Sequence, residues 1–255
     1  MIHLGVELDR DVDRVKEIIE RADPIGEPGI ELIKVAEKTG SRLGVFASSF
    51  NPPTVAHVEL MQRAAEAFSL GEILALAGVA NADKLQYECS LEDRLAMLAL
   101  TLADVPRVSI GLSSHAFYAD MVEALGRVCP PDTDLQFIVG FDTFERVLDV
   151  EDRYTKRYYR GFSSRIEALQ YLFGRSSFIV AGRAGAGLHS VKLLVERETA
   201  VPPGRVLYLD FPTDLGELSA TEVRKRRRAG RPIKGLVPGA VEDYIQRHGL
   251  YLVAE

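Results

Sequence analysis

The most informative stretch of the chain is RLGVFASSFNPPTVAH, which occupies residues 42–57. Its apolar beginning, Leu43–Phe46, predicts a short buried strand, and the two consecutive prolines fix an extended turn after it. Thr54 suits the N-cap position of a following helix, which places His57 on the first helical turn. Because a helix start presents free N–H groups and a partial positive charge, this strand, turn and helix together predict a phosphate-binding loop. A neighbouring phosphate would also favour the protonated form of His57.

From residue 42 onward, short apolar runs alternate with longer amphipathic stretches. The apolar runs, which predict buried strands, are Leu43–Phe46, Ile73–Ala77, Val108–Ile110, Leu135–Val139, Ser177–Val180 and Val206–Leu209. The amphipathic stretches predict helices near residues 55–69, 91–103, 115–129, 163–173 and 189–197, and two C-terminal helices near 219–229 and 238–248. Such alternation predicts an α/β fold, with a doubly wound parallel sheet covered by helices on both faces. In such sheets ligands bind beyond the carboxyl ends of the strands, where the strand order reverses.

The first 40 residues differ from the rest and predict a helical N-terminal extension, followed by one main domain over residues 41–255. Apolar residues recur at helical spacing between 12 and 19, and those between 30 and 36 predict a second short helix. The stretch 149–161, rich in charge and tyrosine, predicts an exposed loop or insertion that could reshape a neighbouring pocket.

The composition is that of an ordinary globular protein. Of the 255 residues, 47% are hydrophobic and 27% are charged, close to the averages for soluble domains. The two cysteines, Cys89 and Cys129, belong to no CxxC or Cys/His cluster, which argues against structural zinc and disulfides and fits a reducing cytoplasm. The N-terminus lacks a signal-peptide pattern, and the longest apolar run, Ile73–Ala80, is too short to span a bilayer. We therefore expect a cytoplasmic protein that uses no membrane.

The charge pattern contains one exception to an overall acidic balance. A net charge of −6 gives no general attraction for nucleic acid or anionic membranes. The run RKRRRAGR at Arg224–Arg231, however, carries six basic residues in eight. It predicts either a solvated helix face or a local phosphate-binding patch. Binding of nucleic acid through this run would be steeply salt-dependent, and the overall acidity disfavours it.

Later loops carry further polar, charged or glycine residues soon after predicted strands. Lys84 follows the second predicted strand, Gly140 and Asp142 follow the fourth, and Arg183 follows the fifth. A glycine at a strand end allows a ligand to approach the backbone, and an acidic residue there can accept hydrogen bonds from ribose hydroxyls. Taken alone, each of these residues is also a common turn residue or a solvated charge.

A second helix start is predicted at Ser219. Ser219 and Glu222 form a capping-box pattern, which by itself is a purely structural explanation. Capping does not exclude binding, because the remaining first-turn N–H groups stay available to an anion. Thr221 and Arg224 project near the same helix end, so this start also predicts a phosphate contact.

Taken together, the motifs resemble those of the HxGH nucleotidylyltransferases. SFNPPTVAH at residues 49–57 is similar to the family's signature loop, in which a strand is followed by Phe-Asn-Pro and then by His-x-x-His or Thr-x-x-His. Gly140–Asp142 resembles the family's Gly-Ala-Asp loop, and Leu218–Arg224 resembles its I-S-S-T-x-x-R signature. The departures from these patterns are Ala56, Phe141, Leu218 and Ala220. The resemblance covers roughly residues 42–251, with four motifs in the family's order.

The resemblance implies a role for each matched residue. It implies nucleotide binding by Ser48, Ser49, Phe50, Thr54, Gly140, Asp142, Arg183, Ser219 and Thr221, and catalysis by His57, Lys84 and Arg224. Arg224 is expected to grip the β- and γ-phosphates, since its planar fork suits them. Mg²⁺ is the expected cofactor, bound mainly through the ATP phosphates and not through a metal site on the protein.

The resemblance further implies a nicotinamide or nicotinate mononucleotide adenylyltransferase with a Rossmann-like fold. Such an enzyme transfers AMP from ATP to the mononucleotide, releases pyrophosphate and forms NAD or its deamido form. A phosphate monoester, mostly dianionic at neutral pH, needs no strong general base for this attack. Two alternatives stay open: the same fold acting on another phosphorylated acceptor, and a catalytically silent nucleotide-binding protein. The expected partners are ATP and a phosphorylated small molecule, with room for a homo-oligomer and no role for nucleic acid.

Overall fold

The structure, a computed structural model, describes residues 15–37, 40–79, 88–105, 107–149, 151, 161–182 and 188–252. Within these residues, seven strands form one sheet: β1 (Ile30–Lys34), β2 (Arg42–Ser48), β3 (Glu72–Gly78), β4 (Val108–Ser113), β5 (Asp134–Gly140), β6 (Ser177–Ala181) and β7 (Val206–Leu209). Their order across the sheet is β1-β4-β3-β2-β5-β6-β7. β1 is antiparallel to β4, and all other neighbouring strands are parallel.

Helices connect the strands and follow the last one. The first, α1, covers residues 15–21. The others are α2 (Val55–Phe68), α3 (Leu91–Thr101), α4 (Tyr118–Val128), α5 (Phe141–Leu148), α6 (Arg165–Arg175), α7 (Leu188–Arg197), α8 (Thr213–Glu217), α9 (Ala220–Arg228) and α10 (Gly239–Arg247). The strands and helices predicted after residue 42 are all confirmed, whereas α5 and α8 were not predicted.

The parallel strands are buried on both faces of the sheet. Along β5, Phe137 and Val139 pack on the face covered by α4, α5 and α6, which we call the α4 face. Ile138, between them, packs on the opposite face, which α1, α2 and α3 cover and which we call the α2 face. Because successive side chains of a strand point to opposite faces, a sheet covered twice needs continuous apolar runs. The predicted doubly wound α/β fold is confirmed.

The strand order reverses between β2 and β5. From β2 the chain moves outward through β3 and β4, then returns to the other side of β2 and moves outward again through β5, β6 and β7. The connections after β2 and β5 therefore leave in opposite directions and open a crevice at their carboxyl ends. This crevice is the expected ligand position in an open α/β sheet.

The second helix predicted in the N-terminal extension is wrong. Residues 30–34 form β1, which pairs with β4 through Ile30 opposite Ser113 and Glu31 opposite Leu112. Without β1, β4 would be an edge strand with exposed backbone donors and acceptors. The predicted helix at α1 is confirmed for residues 15–21, where Ile18 is buried on the α2 face. The division of the chain at residue 40 stays a prediction, although β1 belongs to the same sheet as the residues that follow.

The C-terminal helices pack on the outside of α3. Met97 of α3 forms a separate apolar cluster with Val223 of α9 and Val241 and Ile245 of α10. This cluster fixes the beginning of α9 relative to the sheet. Most of the stretch 149–161 lies outside the described residues. In the part of the chain that the structure covers, no helix is both long and apolar enough to cross a bilayer.

Candidate active site

A cavity of about 310 Å³ opens where the strand order reverses. The carboxyl ends of β2, β5 and β6 contribute Ser48, Gly140 and Ala181 to its wall. Its volume falls at the lower end of the range of about 300–1,000 Å³ that is usual for small-molecule sites. The position of the cavity agrees with the ligand site expected from the sheet topology.

Two helix starts converge on this cavity. Thr54, Ala56 and His57 line it from the first turn of α2, and Ser219 and Ala220 line it from the first turn of α9. Thr54 is the N-cap residue of α2, and Ser219 is the N-cap residue of α9. Because each helix start carries a partial positive charge and N–H donors, their convergence creates a region that favours an anion.

His57 has a structural role that the sequence did not reveal. Its Nδ1 accepts a hydrogen bond from the backbone N–H of Thr54 at 2.9 Å, while the Thr54 hydroxyl accepts one from the backbone N–H of His57 at 3.4 Å. The pair is a capping box in which histidine replaces the usual Glu or Gln. Since Nδ1 acts as an acceptor, the proton of the neutral ring lies on Nε2.

The surroundings of His57 favour its neutral form. The ring centroids of Phe46 and Phe50 lie 5.7 and 5.5 Å from the imidazole. Burial lowers the pKa of His57 from 6.5 to about 4. Protonation would place a charge in buried surroundings and disrupt the capping bond, and the expectation that a neighbouring phosphate favours the protonated ring stays a prediction. At neutral pH the ring offers a neutral Nε2–H donor.

This low pKa predicts how stability depends on pH. Above pH 6.5 the ring is neutral in both the folded and the unfolded chain, and between pH 6.5 and about 4 only the unfolded chain takes up the proton. Stability must therefore fall as the pH falls through this window. We expect wild type to lose roughly 2–3 kcal/mol more unfolding free energy than His57→Gln over this interval. Urea unfolding at both pH values measures the difference, and an equal loss in the two proteins would contradict the assignment.

A buried arginine holds the backbone of the first loop. Arg94, in the first turn of α3, is 1% exposed. Its Nη1 donates to the carbonyl oxygens of Ser49 and Gly78 at 3.0 and 3.2 Å. Phe50 is fully buried with a φ of 45°, so it supports the loop from below instead of facing the cavity. Arg94 thus positions the loop that follows β2.

Arg224 also contacts the first loop and does not line the cavity. It is 6% exposed, and its Nη1 donates to the carbonyl oxygen of Asn51 at 2.6 Å. Its Nε donates to Glu88 Oε1 at 3.1 Å, and its Nη2 donates to the Thr221 hydroxyl at 3.2 Å. These contacts use three of the five N–H donors of the guanidinium and hold the first loop. The phosphate contact expected of Arg224 stays a prediction.

Three of the six basic residues in the run that contains Arg224 form ion pairs. Arg228 also contacts Glu88, and Arg226 Nε donates to Glu222 Oε1 at 2.8 Å. The predicted capping box at Ser219 is therefore only half present: the Ser219 hydroxyl accepts from the backbone N–H of Glu222 at 3.2 Å, but the Glu222 carboxylate pairs with Arg226. The run resembles the predicted helix face more than an open patch.

The opposite wall of the cavity is formed by the end of β5 and the start of α5. Gly140, Asp142 and Arg146 line it. Gly140 has an ordinary φ of −79°, and a Cβ placed there would have no atom within 4 Å. Neither its backbone nor its packing requires glycine, so the missing side chain leaves space for a ligand. Tyr118 and Arg146 were not predicted as site residues from the sequence. They reach the cavity only because of the way α4 and α5 are rotated about their own axes.

The predicted residues divide into three groups. Those that line the cavity are Ser48, Thr54, His57, Gly140, Asp142 and Ser219. Those placed beside it, but not on its wall, are Ser49, Phe50, Thr221 and Arg224. Lys84 and Arg183 lie outside the described residues. Among the residues that the structure does describe, no group of three or more His, Cys, Asp or Glu side chains could hold a metal ion.

The sequence and fold identify the class of protein. The family model described as cytidylyltransferase-like matches residues 45–226. The chain belongs to the cytidylyltransferase-like family, and it is a nucleotidyltransferase enzyme.

Within this family, similar proteins carry a more specific name. The probable nicotinate-nucleotide adenylyltransferase of Gemmatimonas aurantiaca is 31% identical over 229 residues, which cover 82% of this chain and 92% of the relative. The protein of the same name from Salinibacter ruber is 31% identical over 218 residues, which cover 82% of this chain and 97% of the relative. The resemblance to mononucleotide adenylyltransferases carried by the four motifs is confirmed.

Solved structures support the fold. The Plasmodium falciparum nicotinic acid mononucleotide adenylyltransferase complexed with NaAD matches with a TM-score of 0.62 and 16% identity, over 82% of this chain and 97% of that one. The same protein complexed with APC matches with a TM-score of 0.59. The predicted Rossmann-like nucleotidylyltransferase fold is confirmed.

Proposed function

We propose that this enzyme transfers the adenylyl group of ATP to nicotinate mononucleotide, releasing pyrophosphate and forming deamido-NAD. The observation that carries the proposal is the convergence of the starts of α2 and α9 on one cavity at the reversal of strand order. The names of the relatives favour nicotinate over nicotinamide as the acceptor's ring.

The proposed reaction is a direct displacement at the α-phosphorus of ATP. An oxygen of the acceptor's phosphate forms a new bond to that phosphorus, and the bond to the oxygen bridging the α- and β-phosphates breaks. The electron pair of the broken bond leaves with pyrophosphate. Because the attacking phosphate is mostly dianionic at neutral pH, the protein's main tasks are alignment and stabilisation of charge on the leaving group.

The cavity residues suit these tasks. We assign the Nε2–H of neutral His57 as a donor to the phosphates of ATP, because Nδ1 is held by Thr54 and His57 lines the cavity. The first turns of α2 and α9 add backbone donors and partial positive charge. Asp142 is proposed to accept hydrogen bonds from a ribose, next to the space left by Gly140. Phosphate contacts by Lys84, Arg183 and Arg224 stay predictions.

Mg²⁺ is proposed as part of the nucleotide substrate. Asp142 is the acidic side chain among the described cavity residues, and one carboxylate does not make a dedicated magnesium site. The ion would be held by the ATP phosphates, where it would neutralise part of their charge. The cytoplasmic location and a homo-oligomeric state also stay predictions.

An acceptor panel tests the proposal. The purified enzyme would receive ATP or CTP with Mg²⁺ and one of four acceptors: nicotinate mononucleotide, nicotinamide mononucleotide, phosphopantetheine or glycerol phosphate. We expect the fastest pyrophosphate release with ATP and nicotinate mononucleotide, and a product with the mass of deamido-NAD. Release with another acceptor alone would replace the proposed substrate. Binding of ATP without pyrophosphate release from any acceptor would support the catalytically silent alternative.

A further inference from the structure

Arg146 provides a second positive centre in the cavity, separate from the two helix starts. Among the described residues that line the cavity, it is the one lysine or arginine. Its Nε donates to the carbonyl oxygen of Asp142, one helical turn earlier in α5, at 3.0 Å. This bond directs the side chain back towards the start of α5, where the cavity lies. Arg146 is an exposed residue, and it lines the cavity that a ligand would enter.

Arg146 lies on the other side of the sheet edge from the phosphate-binding helix starts. The apolar residues of α5, such as Phe144 and Val147, pack on the α4 face, as does Phe141 at the cavity. The first turn of α2 and the ring of Phe46 lie on the α2 face. The cavity thus extends across the carboxyl edge of the sheet, with the start of α2 on one side and α5, which carries Arg146, on the other.

We propose that Arg146 selects an acidic acceptor by binding the carboxylate on its pyridine ring, an inference that rests on the proposed adenylyl transfer. The helix starts attract the triphosphate, and the acceptor's phosphate must lie next to the α-phosphorus. The part of the acceptor that can extend to the opposite side of the cavity is therefore its ring. A planar guanidinium can bind a carboxylate with two charge-assisted hydrogen bonds, whereas a neutral carboxamide gains much less from it.

Tyr118 adds to this side of the cavity. It lines the cavity beside Arg146, and its ring meets Phe137 edge-on at a centroid distance of 5.0 Å. Burial raises the pKa of Tyr118, and the positive charge of Arg146 acts in the opposite direction. An aromatic ring is a suitable contact for the flat pyridinium ring of the acceptor, whose carboxylate is left for the guanidinium.

Arg146→Met tests the proposal. Relative to wild type, kcat/KM for nicotinate mononucleotide is expected to fall by about 10- to 100-fold, the usual range for a charged hydrogen-bonded contact. For nicotinamide mononucleotide it is expected to change by less than about 3-fold, and the KM for ATP should not change, because neither interaction uses the guanidinium charge. Arg127→Met is the matched control, since Arg127 lies on helix α4 at a similar exposure and does not line the cavity. It should leave both acceptors unaffected.

Other outcomes would overturn the assignment. An equal loss with both acceptors would make Arg146 a contact to their shared phosphate, and a raised KM for ATP would make it a nucleotide contact. Calorimetric titration of wild type and Arg146→Met with each mononucleotide separates this proposal from the proposed function. If wild type binds nicotinate mononucleotide more tightly than the amide and Arg146→Met does not, the assignment holds even if no product forms. Equal binding of the two acceptors by wild type, or binding of neither, would overturn it.

Discussion

Replacing His57 by alanine is expected to lower turnover by about 100- to 1,000-fold, the usual cost of removing one preorganised donor from a developing negative charge. The substitution removes the Nε2–H on the cavity wall and also the Nδ1 acceptor that caps α2. The loss of the cap should cost about 1 kcal/mol of stability, which leaves the protein folded. Pyrophosphate release at saturating substrates measures the effect.

His57→Gln separates the two roles of this residue. A Gln at this position of a capping box can accept the hydrogen bond from the Thr54 backbone through its Oε1. It cannot place a ring N–H where Nε2 lies. We therefore expect stability close to wild type at neutral pH but turnover as low as in His57→Ala. If His57→Gln recovers normal turnover, the contribution of His57 to catalysis is its capping of α2 alone. If His57→Ala has near-normal turnover, His57 takes no part in the reaction.

The sheet could be predicted because the apolar runs that its buried strands require are present in the sequence. Strands buried on both faces must be continuously apolar, as in Ile73–Ala77, and the helices that cover them are amphipathic. β1 is different, since it is a partly buried edge strand whose one neighbour in the sheet is β4. Its five residues are too few to show whether apolar residues repeat at the spacing of a strand or of a helix. Pairing with a distant strand is a tertiary effect that local patterns do not record.

The position of the site was predicted from the sequence, but the contacts that its residues make were predicted only in part. The spacing of Thr54 and His57 placed them on one helix turn, yet it did not show that the ring would turn back to cap that turn. Arg224 and Arg226 look alike within the basic run, but the phase of α9 buries Arg224 against Asn51 and leaves Arg226 half-exposed. Arg146 carries no motif. Its placement follows from the length of β5 and the turn of α5, which only the folded chain fixes.

Both buried arginines point to one requirement, which is a fixed backbone in the loop after β2. Arg224 donates to Asn51, and Arg94 donates to Ser49 and Gly78. The Arg94 contacts join the carboxyl ends of β2 and β3, from which the first two loops start. Asn51 is held further by the Tyr251 hydroxyl, which donates to its Oδ1 at 2.7 Å. A loop that must align a phosphate cannot rely on its own few residues, so distant elements hold its carbonyl groups.

Arg94→Met is therefore expected to destabilise the protein by about 3 kcal/mol, because methionine fills the space but leaves the carbonyl groups of Ser49 and Gly78 without their donor. For a chain of this length the midpoint of thermal unfolding should fall by about 6–12 °C. The control is Arg63→Met on α2, since Arg63 is exposed and pairs with Glu59 one turn away. It should change stability by less than about 0.5 kcal/mol. Urea unfolding of both variants decides the matter: equal stabilities would show that Arg94 is an incidental core residue, and the claim that it anchors the loop would fail.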